Sequence, residues 1–119
     1  MTIHKNKFNM LTAKRDGIID EDWKTFIAQK KACINKGDKV RFKGFLNNYY
    51  GRFMEVEFNG SLFYVNESDF EGEYYYVKST RIPSMDPLVT KTFYYCVDKK
   101  NKRFKIESEG ENYILTPLE

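Results

Sequence analysis

The chain has 119 residues, 41% of them hydrophobic and 17% aromatic, and its formal net charge at pH 7 is +3. This length suits a single domain with a sizeable core, and a charged fraction of 31% divided between both signs argues against disorder. No apolar run is long enough to cross a bilayer and the first twenty residues lack the apolar segment of a secretory signal, so we expect a cytoplasmic protein without a membrane partner.

The N-terminal third of the sequence divides into a polar arm and a predicted helix. Residues 1–17 are polar and aperiodic, which indicates a flexible arm or an edge strand. Over about residues 20–33, Trp23, Phe26 and further apolar residues recur at helical spacing and share one face, which predicts a helix. Asp20 can cap its first turn, where the helix dipole also favours negative charge.

An alternating pattern that begins at residue 39 predicts the first long strand. Lys39, Arg41 and Lys43 fall on one face, and the apolar residues Val40 and Phe42 fall on the other. Because an antiparallel sheet commonly buries one face and exposes the other, we expect the three basic side chains to point outward. Residues 47–51 are predicted to form a loop.

The clearest local signal is the dipeptide Asn59-Gly60 between two apolar runs. Asn-Gly supplies both positive-φ positions of a type I′ turn, which matches the twist of paired strands. A two-residue loop fixes the register of the strands over 52–58 and 61–65. The predicted pairs are Val56 with Phe63 and Met54 with Val65 on an apolar face, and Glu57 with Leu62 and Glu55 with Tyr64 on a mixed face.

The remaining elements are short. Residues 66–70 predict a 3₁₀ turn capped by Asn66, and residues 73–78 predict a strand. Residues 79–91 predict a loop because two prolines interrupt them, and the apolar residues of this loop either cover the core or contact a partner. A second hairpin precedes a last strand over 113–116, and its predicted pairs are Asp98 with Arg103, Val97 with Phe104, and Tyr95 with Ile106.

The stretch Ile34-Asn35-Lys36-Gly37-Asp38-Lys39-Val40 resembles the opening of SH3-like barrels such as bacterial SH3, KOW and Tudor-type modules, where a Gly-Asp turn leads into the first strand. The resemblance extends over about residues 34–80 and implies a small barrel without implying a ligand. We therefore expect a mainly β fold with one N-terminal helix: a small antiparallel SH3-like barrel, with strands between about residues 39 and 118, plus a C-terminal hairpin extension. Residues 18–119 would form a single domain.

The sequence contains no set of residues that indicates catalysis. His4 is the single histidine and lies in the predicted arm, which argues against histidine-based triads and metal sites. Cys33 and Cys96 are far apart in sequence, and in a reducing compartment we expect small buried thiols. The acidic residues between 67 and 73 do not have the spacing of a calcium-binding loop and favour a solvated turn. We expect no enzyme activity, no metal and no cofactor.

Two sets of residues are candidates for binding. Residues 1–44 carry 11 basic and 5 acidic side chains, so basic charge is concentrated towards the N-terminus. The first set combines basic and tyrosine side chains, as barrels that hold single-stranded nucleic acid do, although an ordinary solvated strand face has the same pattern. The second set belongs to the predicted loop over 79–91. The candidate binding residues are Lys39, Arg41, Lys43, Tyr49, Tyr50 and Arg52 in the first set, and Pro83 and Met85 in the second.

The leading hypothesis is a non-enzymatic module that binds another protein as an inhibitor or adaptor. Tyrosine is abundant, with nine residues, and is enriched where proteins meet. Small free-standing inhibitors, including those that phages deploy against host defences, share this general character by analogy. The alternative is a nucleic-acid-binding barrel that uses the basic face, and an enzyme such as a carboxylate-dependent nuclease is the third and least favoured hypothesis.

Overall fold

The protein is mainly β, which confirms the expected class. The computed structural model describes residues 1–22, 30–49, 51–83 and 90–118, with backbone alone at residues 48, 79–83 and 90–93. Its described strands form two antiparallel five-stranded sheets. The strands are β1 (Thr2–His4), β2 (Met10–Ala13), β3 (Lys39–Asn48), β4 (Gly51–Phe58), β5 (Ser61–Val65), β6 (Phe70–Glu71), β7 (Tyr76–Pro83), β8 (Thr90–Val97), β9 (Arg103–Glu109) and β10 (Asn112–Pro117), with a 3₁₀ turn at Glu67–Asp69.

The chain forms two compact units, and each unit contains one of the sheets. The terminal unit comprises Met1–Phe8 and Tyr75–Glu119, and its sheet has the order β1-β10-β9-β8-β7. The middle unit comprises Asn9–Tyr74, and its sheet has the order β5-β4-β3-β2-β6. The junctions between the units therefore follow residues 8 and 74.

The N-terminal segment supplies one strand to each sheet. β1 is an edge strand that pairs with β10, whereas β2 lies between β3 and β6 in the other sheet. Strands of only three and four residues are too short for their alternation to be recognised by pattern, and long-range pairing holds them in place. The sequence indicated either a flexible arm or an edge strand for residues 1–17. The structure has two strands in this segment, β1 and β2.

The prediction of an N-terminal helix over about 20–33 is wrong for the described residues, none of which forms an α-helix. Residues 20–22 and 30–33 have no helical conformation, and Ile34 forms an antiparallel bridge with Ile18. The middle of the predicted helix, residues 23–29, lies outside the described residues. Contacts with β5 override the helical propensity of the ends, since Glu21 donates its backbone N–H to the Tyr64 carbonyl over 2.8 Å.

The prediction that the C-terminal hairpin is an extension of an SH3-like barrel is also wrong. β8, β9 and β10 do not extend a barrel, because together with β1 and β7 they form a complete second sheet. The stretch over 34–80 that resembles a barrel is divided between the units, since β7 belongs to the terminal unit. Pattern within one stretch of sequence does not reveal which distant segment completes a sheet, and here that segment is the N-terminus.

The first hairpin has the predicted register. β4 and β5 pair Met54 with Val65, Glu55 with Tyr64, Val56 with Phe63 and Glu57 with Leu62. Asn59 and Gly60 have φ angles of 50° and 78°, as a type I′ turn requires. The apolar members of these pairs on one face are fully buried, and Leu11, Val40 and Phe42 from β2 and β3 join them in the core of the middle unit.

Two predicted loops and one predicted cap are wrong. The loop expected over 47–51 is tighter, since Asn47 pairs with Arg52 and Asn48 with Gly51. The loop expected over 79–91 is largely a hairpin, because β7 and β8 remain paired up to Pro83 and Thr90, while residues 84–89 lie outside the described residues. The turn expected over 66–70 is confirmed, but the Asn66 side chain makes no capping hydrogen bond.

The second hairpin is shifted by one residue from its predicted register. Val97 pairs with Arg103 and Cys96 with Phe104, so Cys96 lies opposite Phe104 where Val97 was expected, and both residues are buried. The cause is a five-residue connection in which Asn101 adopts a φ of 61° and the Asp98 carboxylate accepts N–H bonds from Lys100 and Lys102 over 2.9 Å. Asp and Asn side chains that bond the local backbone permit this extra residue.

A buried ion pair protects the outer edge of β5. Lys31 Nζ lies 2.7 Å from Asp20 Oδ2, and the two side chains are 4% and 0% exposed. Asp20 Oδ1 accepts the backbone N–H of Tyr64 over 3.1 Å, and Lys31 Nζ donates to the Leu62 carbonyl. Together with the Glu21–Tyr64 bond, these contacts satisfy outward-facing backbone groups of an edge strand, which would otherwise be open to pairing.

We predict that Gly60→Val destabilises the protein by about 1–3 kcal/mol, because a β-branched residue must adopt positive φ. No atom lies within 4 Å of the position that a Cβ would occupy, so the cost comes from the backbone alone. Gly60→Asn is the matched control and should recover most of the stability, since Asn tolerates this conformation. Urea denaturation checks both variants, and an unchanged midpoint for Gly60→Val would contradict the turn assignment.

We predict that Lys31→Met costs about 3–5 kcal/mol, because it leaves the Asp20 carboxylate buried without its cation. Adding Asp20→Asn should restore part of the loss, since the amide keeps the Oδ1 acceptor and removes the charge. Lys36→Met, at an exposed turn, is the control. Equilibrium unfolding distinguishes the variants, and equal stabilities of Lys31→Met and Lys36→Met would refute a stabilising role for the pair.

Candidate functional site

The solvent-facing side of the middle-unit sheet is the candidate site, and we call it the outer face. Its members alternate along each strand with the buried residues and align through the strand registers. They comprise Met10 and Thr12 from β2, Lys39, Arg41, Lys43 and Leu46 from β3, Phe53, Glu55 and Glu57 from β4, Leu62 and Tyr64 from β5, and Glu71 from β6.

The predicted outward direction of the three basic residues of β3 is confirmed. Lys39 and Lys43 are exposed and Arg41 is half-buried, while Val40 and Phe42 are in the core. Lys39 Nζ donates to Thr12 Oγ1 over 2.6 Å, which orients its side chain across β2. A β-bulge between Phe42 and Gly44 accommodates Lys43, which remains on the outer face and reaches Glu57.

Acidic residues balance the basic residues of the outer face. Arg41 pairs across the strands with Glu57, whose carboxylate lies 3.8 Å from Lys43 Nζ. Thr12 lies between Lys39 and Glu71 in one row of the sheet. With Glu55, the face has three acidic and three basic side chains. The surface is therefore mixed in charge, and it is not the basic strip that the sequence of β3 suggests.

Apolar side chains lie among these charges. Leu46 is 38% exposed and Leu62 is 42% exposed, and Phe53 is half-buried beside Leu46 in the neighbouring strand. Tyr64 is half-buried, and its burial, followed by the negative charge of Glu55, raises the pKa of its hydroxyl above the ordinary value. The hydroxyl therefore stays protonated and can donate a hydrogen bond at any physiological pH.

Arg52 does not belong to the outer face, although the sequence grouped it with the basic residues of β3. Its guanidinium carbon lies 3.6 Å from the centroid of the Phe45 ring. Phe45 in turn contacts Phe42 and Tyr74, so Arg52 covers an aromatic cluster on the opposite side of the sheet. The alternation of β4 predicts this direction, because Arg52 lies two residues before the buried Met54 and therefore shares its face of the sheet.

The other predicted binding residues are not assembled with the basic ones. Tyr49 is 97% exposed in the turn between β3 and β4. Pro83 ends β7 in the terminal unit, where its backbone is opposite Thr90. Tyr50 and Met85 lie outside the described residues. The acidic residues of the outer face were missed because the pairing of β3 with β4 depends on the length of a connection that the sequence did not define.

The acidic stretch over 67–73 has structural partners. Asp69 accepts two hydrogen bonds from the Arg15 guanidinium, over 2.8 and 3.0 Å, and this contact raises the pKa of Arg15. Tyr74 donates its hydroxyl to Glu67, and burial followed by this bond raises the pKa of Tyr74 well above its ordinary value. These contacts give two of the four carboxylates a hydrogen-bond partner within the protein.

Metal and membrane features are absent from the part of the chain that the structure describes. Within it, no three His, Cys, Asp or Glu side chains are close enough together to hold a metal ion, and no helix has the length and hydrophobicity to span a membrane. Both cysteines are free thiols, and burial raises the pKa of Cys96 to about 11, which keeps its sulfur unreactive.

Comparisons with known proteins do not assign the chain to a family. No protein-family model matches it, and no curated protein and no solved structure is significantly similar to it.

We predict that neither EDTA nor dithiothreitol changes the melting temperature of the protein. The free cysteines and the absence of a metal cluster among the described residues are the basis for this expectation. Parallel thermal melts in buffer, with each reagent and with both, provide the measurement. A decrease of several degrees with either reagent would contradict it.

Proposed function

We propose that this protein is a non-enzymatic protein-binding module, an inhibitor or adaptor, and that the outer face is its contact surface. The observation that carries the proposal is the mixture of exposed Leu46 and Leu62 with charges of both signs on one sheet. Protein interfaces combine apolar contact area with charged groups that select the partner and its orientation. We expect the protein to act in the cytoplasm, where free thiols such as Cys33 and Cys96 persist.

The charge pattern favours a protein over nucleic acid as the partner. Nucleic acid binds tightly where several Lys and Arg side chains neutralise its phosphates. On the outer face, the negative charges of Glu55, Glu57 and Glu71 repel phosphates and reduce that affinity. A protein with its own mixture of charges can instead pair with both signs. Arg52, which the nucleic-acid hypothesis requires beside the β3 cations, lies over Phe45 on the other side of the sheet.

We predict that Leu46→Ser combined with Leu62→Ser weakens partner binding at least about tenfold, which corresponds to roughly 1.4 kcal/mol. The control is Leu118→Ser, because Leu118 is 41% exposed but lies in the terminal unit. The partner is first captured from nuclease-treated extract of the native host and identified, and binding of the purified pair is then measured by calorimetry. Equal affinities for the double variant and the wild type would place the interface elsewhere.

A second variant separates the two classes of partner. Lys39, Arg41 and Lys43 are replaced together by Glu, and circular dichroism checks that the variant folds. For a protein partner we expect slower association that depends on salt, and no measurable binding of single-stranded oligonucleotides by the wild type. Oligonucleotide binding by the wild type whose log–log salt slope flattens by about one for each replaced cation would support nucleic acid instead and overturn the proposal.

A further inference from the structure

The two sheets have four edge strands, and three of them have features that prevent further pairing. β1 has three residues and β6 has two, so neither offers a long template. β5 is longer, but Asp20, Glu21 and Lys31 bond the Leu62 carbonyl and both backbone groups of Tyr64. These features are typical of sheets that avoid edge-to-edge association.

β7 is the exception. It has eight residues, forms one edge of the terminal-unit sheet and pairs with β8 along its whole length, from Tyr76–Val97 to Pro83–Thr90. No described strand pairs with its other side. At roughly 3.3 Å per residue the edge is about 26 Å long. Val77 is 47% exposed and Lys78 is exposed, so neighbouring positions present one apolar and one cationic side chain.

The sequence of β7 disfavours a second copy of this chain as the occupant of the edge. The strand contains two basic residues, Lys78 and Arg81, and no acidic residue. In the two-fold antiparallel register that uses all eight residues, position 78 of one copy is opposite position 81 of the other. Like charges directly opposite each other destabilise a sheet, whereas an acidic residue opposite Lys78 or Arg81 would stabilise the pairing.

We propose that β7 binds an extended segment of a partner protein by strand addition, and that this segment alternates acidic with apolar residues. Backbone hydrogen bonds along β7 supply affinity, as in other cases of β-augmentation. Acidic side chains beside Lys78 and apolar side chains beside Val77 supply selectivity. The site is in the terminal unit and is independent of the outer face, so failure of either proposal leaves the other in place.

The test uses the full chain and a synthetic peptide as the probe. The peptide is acetyl-Thr-Glu-Val-Glu-Val-Glu-Thr-amide, and backbone amide signals are followed by NMR during titration and by hydrogen exchange. We expect alternate amides of β7 to shift and to gain protection, while the amides of β5 do not change. The matching peptide with Lys in place of Glu should bind at least threefold more weakly, as should the original peptide to Lys78→Glu.

Two controls distinguish strand addition from attraction between charges. Methylating the peptide nitrogens at every second residue, on one edge or on the other, leaves its charge unchanged, and one of these two peptides should lose binding because its ladder donors are blocked. In the protein, Val77→Pro and Lys78→Pro are compared. One of these two neighbouring N–H groups bonds β8 and the other points to the open edge, so proline at the outward position leaves the sheet intact. The variant that folds normally should therefore lose peptide binding. Equal binding of both methylated peptides, no binding by the wild type at millimolar peptide, or protection of β7 by dimerisation of the free protein would each overturn the proposal.

Discussion

The Asp20–Lys31 ion pair is the interaction on which the middle unit depends. Two charges buried to 0% and 4% exposure are costly unless each has further partners, and here each does. Asp20 accepts backbone N–H groups from Asp22 and Tyr64, and Lys31 donates to the Leu62 carbonyl while lying 4.9 Å from the Phe63 ring. Together with Glu21, the pair thus holds Asp20 and Lys31 against β5 and covers that edge. The outer face consequently ends in a protected strand.

Local signals in the sequence predicted the parts of the fold that depend on neighbouring residues. Asn59-Gly60 determined its hairpin because both residues must adopt positive φ, and the alternation after Lys39 determined which side of β3 is buried. Local sequence patterns did not predict the elements whose structure depends on pairing with distant segments. β1 and β2 are stabilised by strands that follow much later in the chain, and the second hairpin was shifted because Asp98 and Asn101 accommodate an extra residue.

The candidate site was predicted in part for the same reason. The cations of β3 could be placed outward from one strand alone, but their acidic neighbours could be found only from the pairing of β3 with β4. That pairing changes the interpretation of the surface, since Glu57 lies opposite Arg41 and within 3.8 Å of Lys43. The face on which Arg52 lies could have been predicted from the alternation of β4. It was instead grouped with the cations of β3 because it is close in sequence to Tyr49 and Tyr50.

Edge protection distinguishes the closed strand β5 from β7, to which we assign a partner. Native-state hydrogen exchange at individual amides measures this protection. The Tyr64 amide, which donates to buried Asp20, should exchange as slowly as the amides of the interior strand β4, whereas alternate amides of β7 should exchange orders of magnitude faster. Fast exchange at Tyr64, or uniform protection along β7, would show that the two edges do not differ in this way.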